Sequence, residues 1–256
     1  MNIKLMTAAV ATALLAACGG DKPAETSNSG EKFIRIATES SFKPFSYLDN
    51  QGNLVGFEID LANALCEEMK AKCEISSQDW DGLIPGLNAD KFDAIMAGMS
   101  ATAERAQVVD FSEPYFDNTI VLIGKKGVDA DANALAGKTV AAQLATVSAD
   151  WVSANQPQAT LKTYDKQDNA YLDLSAGRAD VMMSDIVPAL DWLKTEAGQD
   201  FEVKGEPIDI GDTVAIAVRK GDALKAEFDA ALAALKTNGK YNEIVGNYFD
   251  ASVVGK

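Results

Sequence analysis

The sequence predicts an α/β protein of two lobes, each a mainly parallel sheet flanked by helices, with two crossing strands joining the lobes. Two observations carry that prediction. Short β-rich runs alternate with helix-period segments, the pattern that builds parallel sheets with helices on both faces. The series also occurs twice, once before residue 100 and once after residue 138. The chain has 256 residues, 47% hydrophobic and 24% charged, an ordinary globular composition with enough apolar surface for one large or two modest cores.

The first residues stand apart from this pattern. Lys4 is followed by an apolar stretch, Leu5 to Ala17, too short for a permanent membrane span and laid out like a secretory leader. Small residues at 16 and 17 directly before Cys18 resemble a bacterial lipobox, which predicts a signal peptide over 1–17 and a diacylglyceryl group on Cys18. Residues 18–30 have no large apolar side chain and read as a lipid-anchored flexible tether, with a reach of roughly 20 Å. No later apolar run approaches the roughly 20 residues of a membrane helix. The expected location is the periplasm of a Gram-negative bacterium, with the membrane that holds the lipid left open.

In the first series, Phe33 to Ala37 reads as a strand, Asp60 to Met69 as a helix, Cys73 to Ser76 as a strand, Leu83 to Asn88 as a helix and Ala94 to Met96 as a strand. In the second, Thr139 to Ala142 is a strand, Ala149 to Asn155 a helix, Leu161 to Tyr164 a strand, Asn169 to Ser175 a helix and Val181 to Met183 a strand. An internal echo links them: Leu87-x-Ala89-x-Lys91-x-Asp93-x-x-Met96 against Leu174-x-Ala176-x-Arg178-x-Asp180-x-x-Met183. Asn118 to Gly124 and Thr213 to Arg219 are strand-like and suit the crossings, and a helix over Ala223 to Thr237 would return to the first lobe. The expected division is lobe 1 over 31–118 plus 214–256 and lobe 2 over 119–213, hinge crossings included. Ligands of parallel sheets collect beyond the carboxyl ends of the strands. That places Gly98, Met99 and Ser100 at one mouth and Ser184 and Asp185 at the other.

Composition excludes whole classes of chemistry. There is no histidine, which removes His-based triads and the common zinc sites, and neither a metal nor a cofactor is implied. A formal net charge of −15 repels nucleic acid and anionic lipid. Beyond Cys18, the remaining cysteines are Cys66 and Cys73, and an exported protein with two cysteines usually pairs them. On one unbroken helix their Cα atoms would lie about 10 Å apart, too far for a disulfide. The helix is therefore expected to end near Met69 to Ala71 and the chain to double back.

The segment Gly56-Phe57-Glu58-Ile59-Asp60-Leu61, with Leu65 and Cys66 after it, resembles the signature of the extracellular solute-binding proteins for polar amino acids. Other segments agree in order: Ile36-Ala37-Thr38-Glu39 before Pro44-Phe45, Asp81-x-Leu83-Ile84-Pro85-x-Leu87, Met96 to Ser100, Glu104-Arg105, Asp110-Phe111-Ser112-x-Pro114-Tyr115, Gly177-Arg178-x-Asp180 and Gly239-x-Tyr241. The resemblance covers everything after residue 32. It implies the two-lobed type II periplasmic binding fold. Within the family the nearest pattern is the cationic group, the arginine-binding and lysine-arginine-ornithine-binding proteins.

The resemblance also implies roles. Arg105 matches the arginine that holds the ligand α-carboxylate. Thr102 reads as an N-cap three residues earlier, which would put this guanidinium in a first helical turn beside free N–H groups. Asp185 matches the carboxylate that receives the α-ammonium, with the Gly98 carbonyl, Met99 and the Ser100 hydroxyl around it. Thr146 falls at a helix start and would add donors to the carboxylate, although Gln143-Leu144-Ala145-Thr146 departs from the family's Gln-Gly-Thr. Phe42 and Trp80 match rings above and below the ligand side chain, where each can attract a cation by about 0.5–2 kcal/mol. Glu39 matches an acidic position at the distal end of that side chain and is the main argument for a cationic ligand. Ala97 stands where the family usually has a second serine.

Together these features predict a monomeric substrate-binding component of an amino acid ABC importer, not an enzyme. It would capture a free L-amino acid, arginine or another cationic one, by hinge closure and pass it to an inner-membrane permease. The readings left beside it are a binder of a neutral polar amino acid or cystine, a sensory module with a separate receptor, and a cyclohexadienyl or arogenate dehydratase on the same fold.

Overall fold

Strand–helix alternation builds two five-stranded sheets and a small three-stranded one. The structure is a computed structural model and describes residues 32–249; the expected leader, the lipid attachment at Cys18 and the tether lie outside the described residues.

In chain order, the first stretch holds β1 (Lys32–Thr38), β2 (Ser41–Phe42), β3 (Ser46–Leu48), β4 (Leu54–Val55), α1 (Phe57–Glu68), β5 (Ala71–Ser77), α2 (Leu83–Asn88), β6 (Ala94–Ile95) and β7 (Val109–Phe111). The middle stretch holds β8 (Phe116–Lys125), β9 (Thr139–Gln143), α3 (Val147–Asn155), β10 (Thr160–Tyr164), α4 (Gln167–Ser175), β11 (Val181–Asp185), α5 (Ile186–Leu193) and β12 (Phe201–Val214). The chain closes with β13 (Ala217–Arg219), α6 (Leu224–Thr237) and α7 (Lys240–Tyr248). Helices α5 and α7 are not anticipated from the sequence.

The first sheet has the order β5-β1-β6-β13-β7 and the second β10-β9-β11-β8-β12. In each, a single strand runs against the other four: β13 is antiparallel to both β6 and β7, and β8 to both β11 and β12. Both sheets are covered on both faces, so their strands read as nearly continuous apolar runs. Ile34 and Ile36 point into one core with Phe57, Leu61 and Leu65 of α1 and Phe228 and Leu232 of α6, while Ala37 and Ile95 face the other side with Leu83 and Leu87 of α2. In the second sheet Val121, Ile123 and Met182 meet α4 and α5, and Ile120, Leu122, Val140 and Met183 meet Val152 of α3. Each fully buried Leu, Ile or Phe contributes about 1.5–3 kcal/mol.

The sequence echo has a structural meaning. The Asp93 N–H donates to the Arg35 carbonyl, and the Asp93 carboxylate takes the Arg35 N–H at 2.9 Å. Asp180 does the same with Thr139, its N–H to the carbonyl and its carboxylate accepting the Thr139 N–H at 2.7 Å. One aspartate thus clamps the entry of the first and third strands in each half.

Two passages connect the sheets, β7 to β8 and β12 to β13. At these passages β8 and β12 pair through Phe116↔Val214, Asp117↔Thr213 and Asn118↔Asp212, before two register shifts farther along. The single strand expected over Thr213 to Arg219 is split. Ala215 and Ile216 lie between β12 and β13, and their N–H groups go to the Met99 carbonyl and the Ser112 hydroxyl. At the other expected break, α1 ends at Glu68, Lys70 turns the chain at φ 52°, and Cys66 and Cys73 are disulfide-bonded with Cα atoms 6.2 Å apart.

Candidate ligand-binding site

The carboxyl ends of strands from both sheets converge on one small cavity. Its walls are Glu39, Phe42, Trp80, Ala97, Gly98, Ser100 and Arg105 from the first lobe and Gln143, Thr146, Val147 and Asp185 from the second. Eight of the nine residues expected at the site therefore meet there. The exception is Met99. Its neighbours Gly98 and Ser100 face the cavity, so its side chain points the other way and is buried with Leu83, Leu87 and Val109.

Gly98 sets the floor. It has φ 61°, and a Cβ there would come within 2.4 Å of the Phe42 ring, so only glycine lets the ring lie on this peptide. Phe42 in turn stacks on Phe45 at 5.4 Å between centroids, which fixes its plane.

Arg105 does not open an α-helix as expected. It begins a three-residue 3-10 turn, Arg105–Gln107, whose start is still tied by the Thr102 hydroxyl, which accepts the Arg105 N–H at 3.2 Å. Gln107 and Val108 close the turn through bonds to residues three back, too short a run for an α-helix. The guanidinium lies 5.2 Å from the Trp80 ring centroid and donates to the Ser100 carbonyl at 2.9 Å and the Ala145 carbonyl at 2.8 Å. The indole N–H of Trp80 donates to the same Ala145 carbonyl at 3.2 Å. Trp80 therefore supports Arg105 as well as walling the cavity. Burial lowers the Arg105 pKa, against the opposing charges of Asp212, Asp150 and Asp185.

Opposite Arg105, Thr146 caps α3: its hydroxyl accepts the Ala149 N–H at 3.3 Å and donates to the Gln143 carbonyl at 2.8 Å. The hydroxyl expected to face a ligand is thus committed to the cap. The first N–H groups of α3 have no intrahelical partner and start at the cavity wall, a setting that favours an anion. Ala145, at φ 56°, makes the left-handed turn into this cap.

The acidic groups occupy the rest. Burial first, and the Asp212 charge second, push the Asp185 carboxyl up to about 7, against a hydrogen bond from Asn118 and the charge of Arg105. Ser100 donates its hydroxyl to Asp212 at 2.9 Å, and Asn118 donates to the same oxygen at 2.8 Å. Asp212, on the crossing strand, is not anticipated from the sequence as part of this cluster. At the far end Glu39 is 3% exposed, accepts from Gln143 Nε2 at 3.0 Å, and is pushed up to about 8 by burial. Gln143 and Val147 also escape sequence reasoning. The signal available for Gln143 is its place at the carboxyl end of a strand, the rule that locates Gly98 and Asp185.

One guanidinium, the start of a helix and two buried acids, Asp185 and Glu39, thus line the same cavity. Residues 34–251 match the model of bacterial extracellular solute-binding proteins, family 3. The chain belongs to this family. It is 39% identical over 236 residues to the L-arginine-binding protein of Pseudomonas aeruginosa, covering 88% of this chain and 91% of that protein. It is 37% identical to the lysine/arginine/ornithine-binding periplasmic protein of Escherichia coli, over 87% of this chain and 89% of that one. Among solved structures, an ancestral arginine-binding protein bound to arginine superposes with a TM-score of 0.82 at 36% identity, covering 86% of this chain and 99% of that one. An ancestral amino acid-binding protein described as a precursor of cyclohexadienyl dehydratase gives 0.78 at 32% identity, covering 85% and 96%. These family relatives are binding proteins, the one from Escherichia coli periplasmic, and the likeness extends over the whole described body rather than one motif.

Proposed function

We propose that this solute-binding protein captures a free L-amino acid with a cationic side chain, arginine foremost, and delivers it to the permease of an amino acid ABC importer. The observation that carries the reading is the meeting of Arg105, Asp185 and Glu39 around one cavity. Arg105 and the start of α3 take the α-carboxylate, Asp185 and the Gly98 carbonyl take the α-ammonium, and Glu39 with Gln143 takes the distal cation. Phe42 covers the aliphatic stem. The lobes, over 31–118 plus 214–256 and over 119–213, close by bending at the two crossings. Closing without a ligand brings Glu39, Asp185 and Asp212 out of water with Arg105 as the cation among them, and a bound cation offsets that burial. Closure on the ligand then strengthens each pair by excluding water.

The protein is further read as a monomeric periplasmic lipoprotein held through Cys18. Loss of membrane association and of lipid labelling in a Cys18→Ser variant tests the anchor. The ligand is tested by calorimetric titration of protein freed of co-purified ligand, against arginine, lysine, histidine, glutamine and cystine. Tight binding of arginine or lysine is expected, and binding of neutral amino acids alone would remove the role given to Glu39.

One likeness favours a second reading, that to the precursor of cyclohexadienyl dehydratase. A dehydratase needs a general acid, and burial raises the Glu39 carboxyl in that direction. Turnover of prephenate or arogenate by the purified protein would replace binding with catalysis.

A further inference from the structure

The cavity walls leave out a buried acid that touches them from behind. Glu58, in the first turn of α1, is wholly inaccessible to solvent, and its Oε1 accepts the Gly98 N–H at 2.6 Å. The same oxygen accepts the hydroxyl of Tyr115, whose carbonyl accepts the hydroxyl of Tyr241. The Tyr115 N–H donates to the Val214 carbonyl at 3.0 Å, and Val214 bridges to Ser100. The Gly98–Ser100 loop is therefore pinned by Glu58 behind, by the Phe42 ring in front and by the crossing strand at its end.

A buried carboxyl group, its second oxygen without a hydrogen-bond partner among the described residues, is an expensive way to hold one peptide in a dry interior. Its partners are an N–H and a hydroxyl rather than a cation, so pairing of charges does not account for it. The bond holds the Ala97–Gly98 peptide by its N–H, and with the Phe42 ring against Gly98 and the Met99 carbonyl held by the Ala215 N–H at 3.2 Å, the Gly98 carbonyl between these fixed points has a set direction. Gly98, whose φ of 61° lies where glycine is soft, is the residue that most needs such an anchor.

We infer that Glu58 is a positioning residue for ligand recognition: by holding the Gly98 N–H it fixes one end of the residue whose carbonyl receives the α-ammonium, without touching the ligand. The inference rests on the amino-acid reading of the cavity. Its test compares L-arginine with 5-guanidinopentanoate, which is arginine without the α-amino group, by calorimetry on the parent protein and on Glu58→Met, Glu58→Gln and Tyr115→Phe.

Glu58→Met, which keeps the length and removes the acceptor, weakens arginine by about 10- to 100-fold, the range for one hydrogen bond to a charged group, and the deaminated analogue by less than about threefold. Glu58→Gln, which keeps an acceptor oxygen, restores most of the ratio between the two ligands. Tyr115→Phe shifts the ratio the same way by less, and it carries the test alone if Glu58→Met does not fold. Equal weakening of both ligands, or no change in their ratio, overturns the positioning role. A parent protein that binds no amino acid overturns the amino-acid reading itself, and the inference with it, before any variant is made. If the parent prefers another amino acid, that one and its deaminated analogue replace the pair.

Discussion

Replacing Glu39 by Gln removes the charge at the far end of the cavity while keeping the size of the side chain. Glu39 is 3% exposed, and Gln143 Nε2, 3.0 Å away, is its hydrogen-bond donor. Truncating one partner of a buried charge pair costs about 2–5 kcal/mol. The parent does not keep all of that, because the carboxyl of the empty cleft is pushed up to about 8 by burial and must lose a proton before it can meet a cation. Ionising it at pH 7 costs about 1.4 kcal/mol. Glu39→Gln should therefore lose about 0.6–3.6 kcal/mol for arginine, roughly 3- to 400-fold in Kd. The same reasoning sets a pH profile. The proton is bound in the empty site and released on binding, so affinity rises with pH, by up to about 50-fold between pH 6 and 8 from Glu39 alone. Asp185, pushed up to about 7, adds up to about tenfold over the same interval. Calorimetry in buffers of different ionisation enthalpy reads both the affinity and the proton release. Arginine affinity that is flat from pH 6 to 8, or undiminished in Glu39→Gln, would refute a charged encounter at this end.

The same geometry sets other expectations. Arg105→Ala should weaken amino acid binding by about 2–5 kcal/mol, because it leaves the α-carboxylate without its guanidinium, and retained tight binding would remove Arg105 from the site. Ligand-free protein should lose stability as pH rises from 5 to 8. The Glu58 carboxyl is raised from 4.5 to about 7 by burial, so its contribution is complete below 4.5 and lost as pH rises through 7. That shift corresponds to about 3 kcal/mol, and thermal melts of Glu58→Gln should show a correspondingly shallower decline with pH; parallel profiles would contradict it. Replacing both Cys66 and Cys73 by Ser should cost about 2.5 kcal/mol in denaturant unfolding, the chain entropy of so short a loop, with ligand affinity unchanged because the bridge lies at the α1–β5 turn and not at the cavity.

Much of the fold is legible in the sequence because its strands and helices each carry a local pattern. Leu83–Asn88 as a helix and Thr139 onward as a strand come from periodicity and chain length alone, since buried parallel strands have no polar face to confuse the reading. The elements that escape it lack such a pattern. Helix α5 continues from β11 with no break, and its Pro188 argues against a helix until its place in the first turn is known. The turn at Arg105 reads as α-helical because an N-cap side chain looks the same before either kind of helix. Thr102 does tie that turn, but nothing local says that it stops after three residues.

The site divides in the same way. Residue types and, through strand ends and the family's motifs, the places of Glu39, Phe42, Trp80, Gly98, Ser100, Arg105, Thr146 and Asp185 at the mouth are legible before any folding. Their engagements come from the packing of the two sheets. It turned Met99 into the core, tied the Thr146 hydroxyl to its cap, laid the Arg105 guanidinium beside the Trp80 ring and brought Asp212 from the crossing strand against Ser100. The reason is one of range. Secondary structure and side-chain type are set by neighbours a few residues away, whereas burial, and with it the proton affinity of Glu39, Glu58 and Asp185, depends on surfaces that meet only after two sheets have closed on each other.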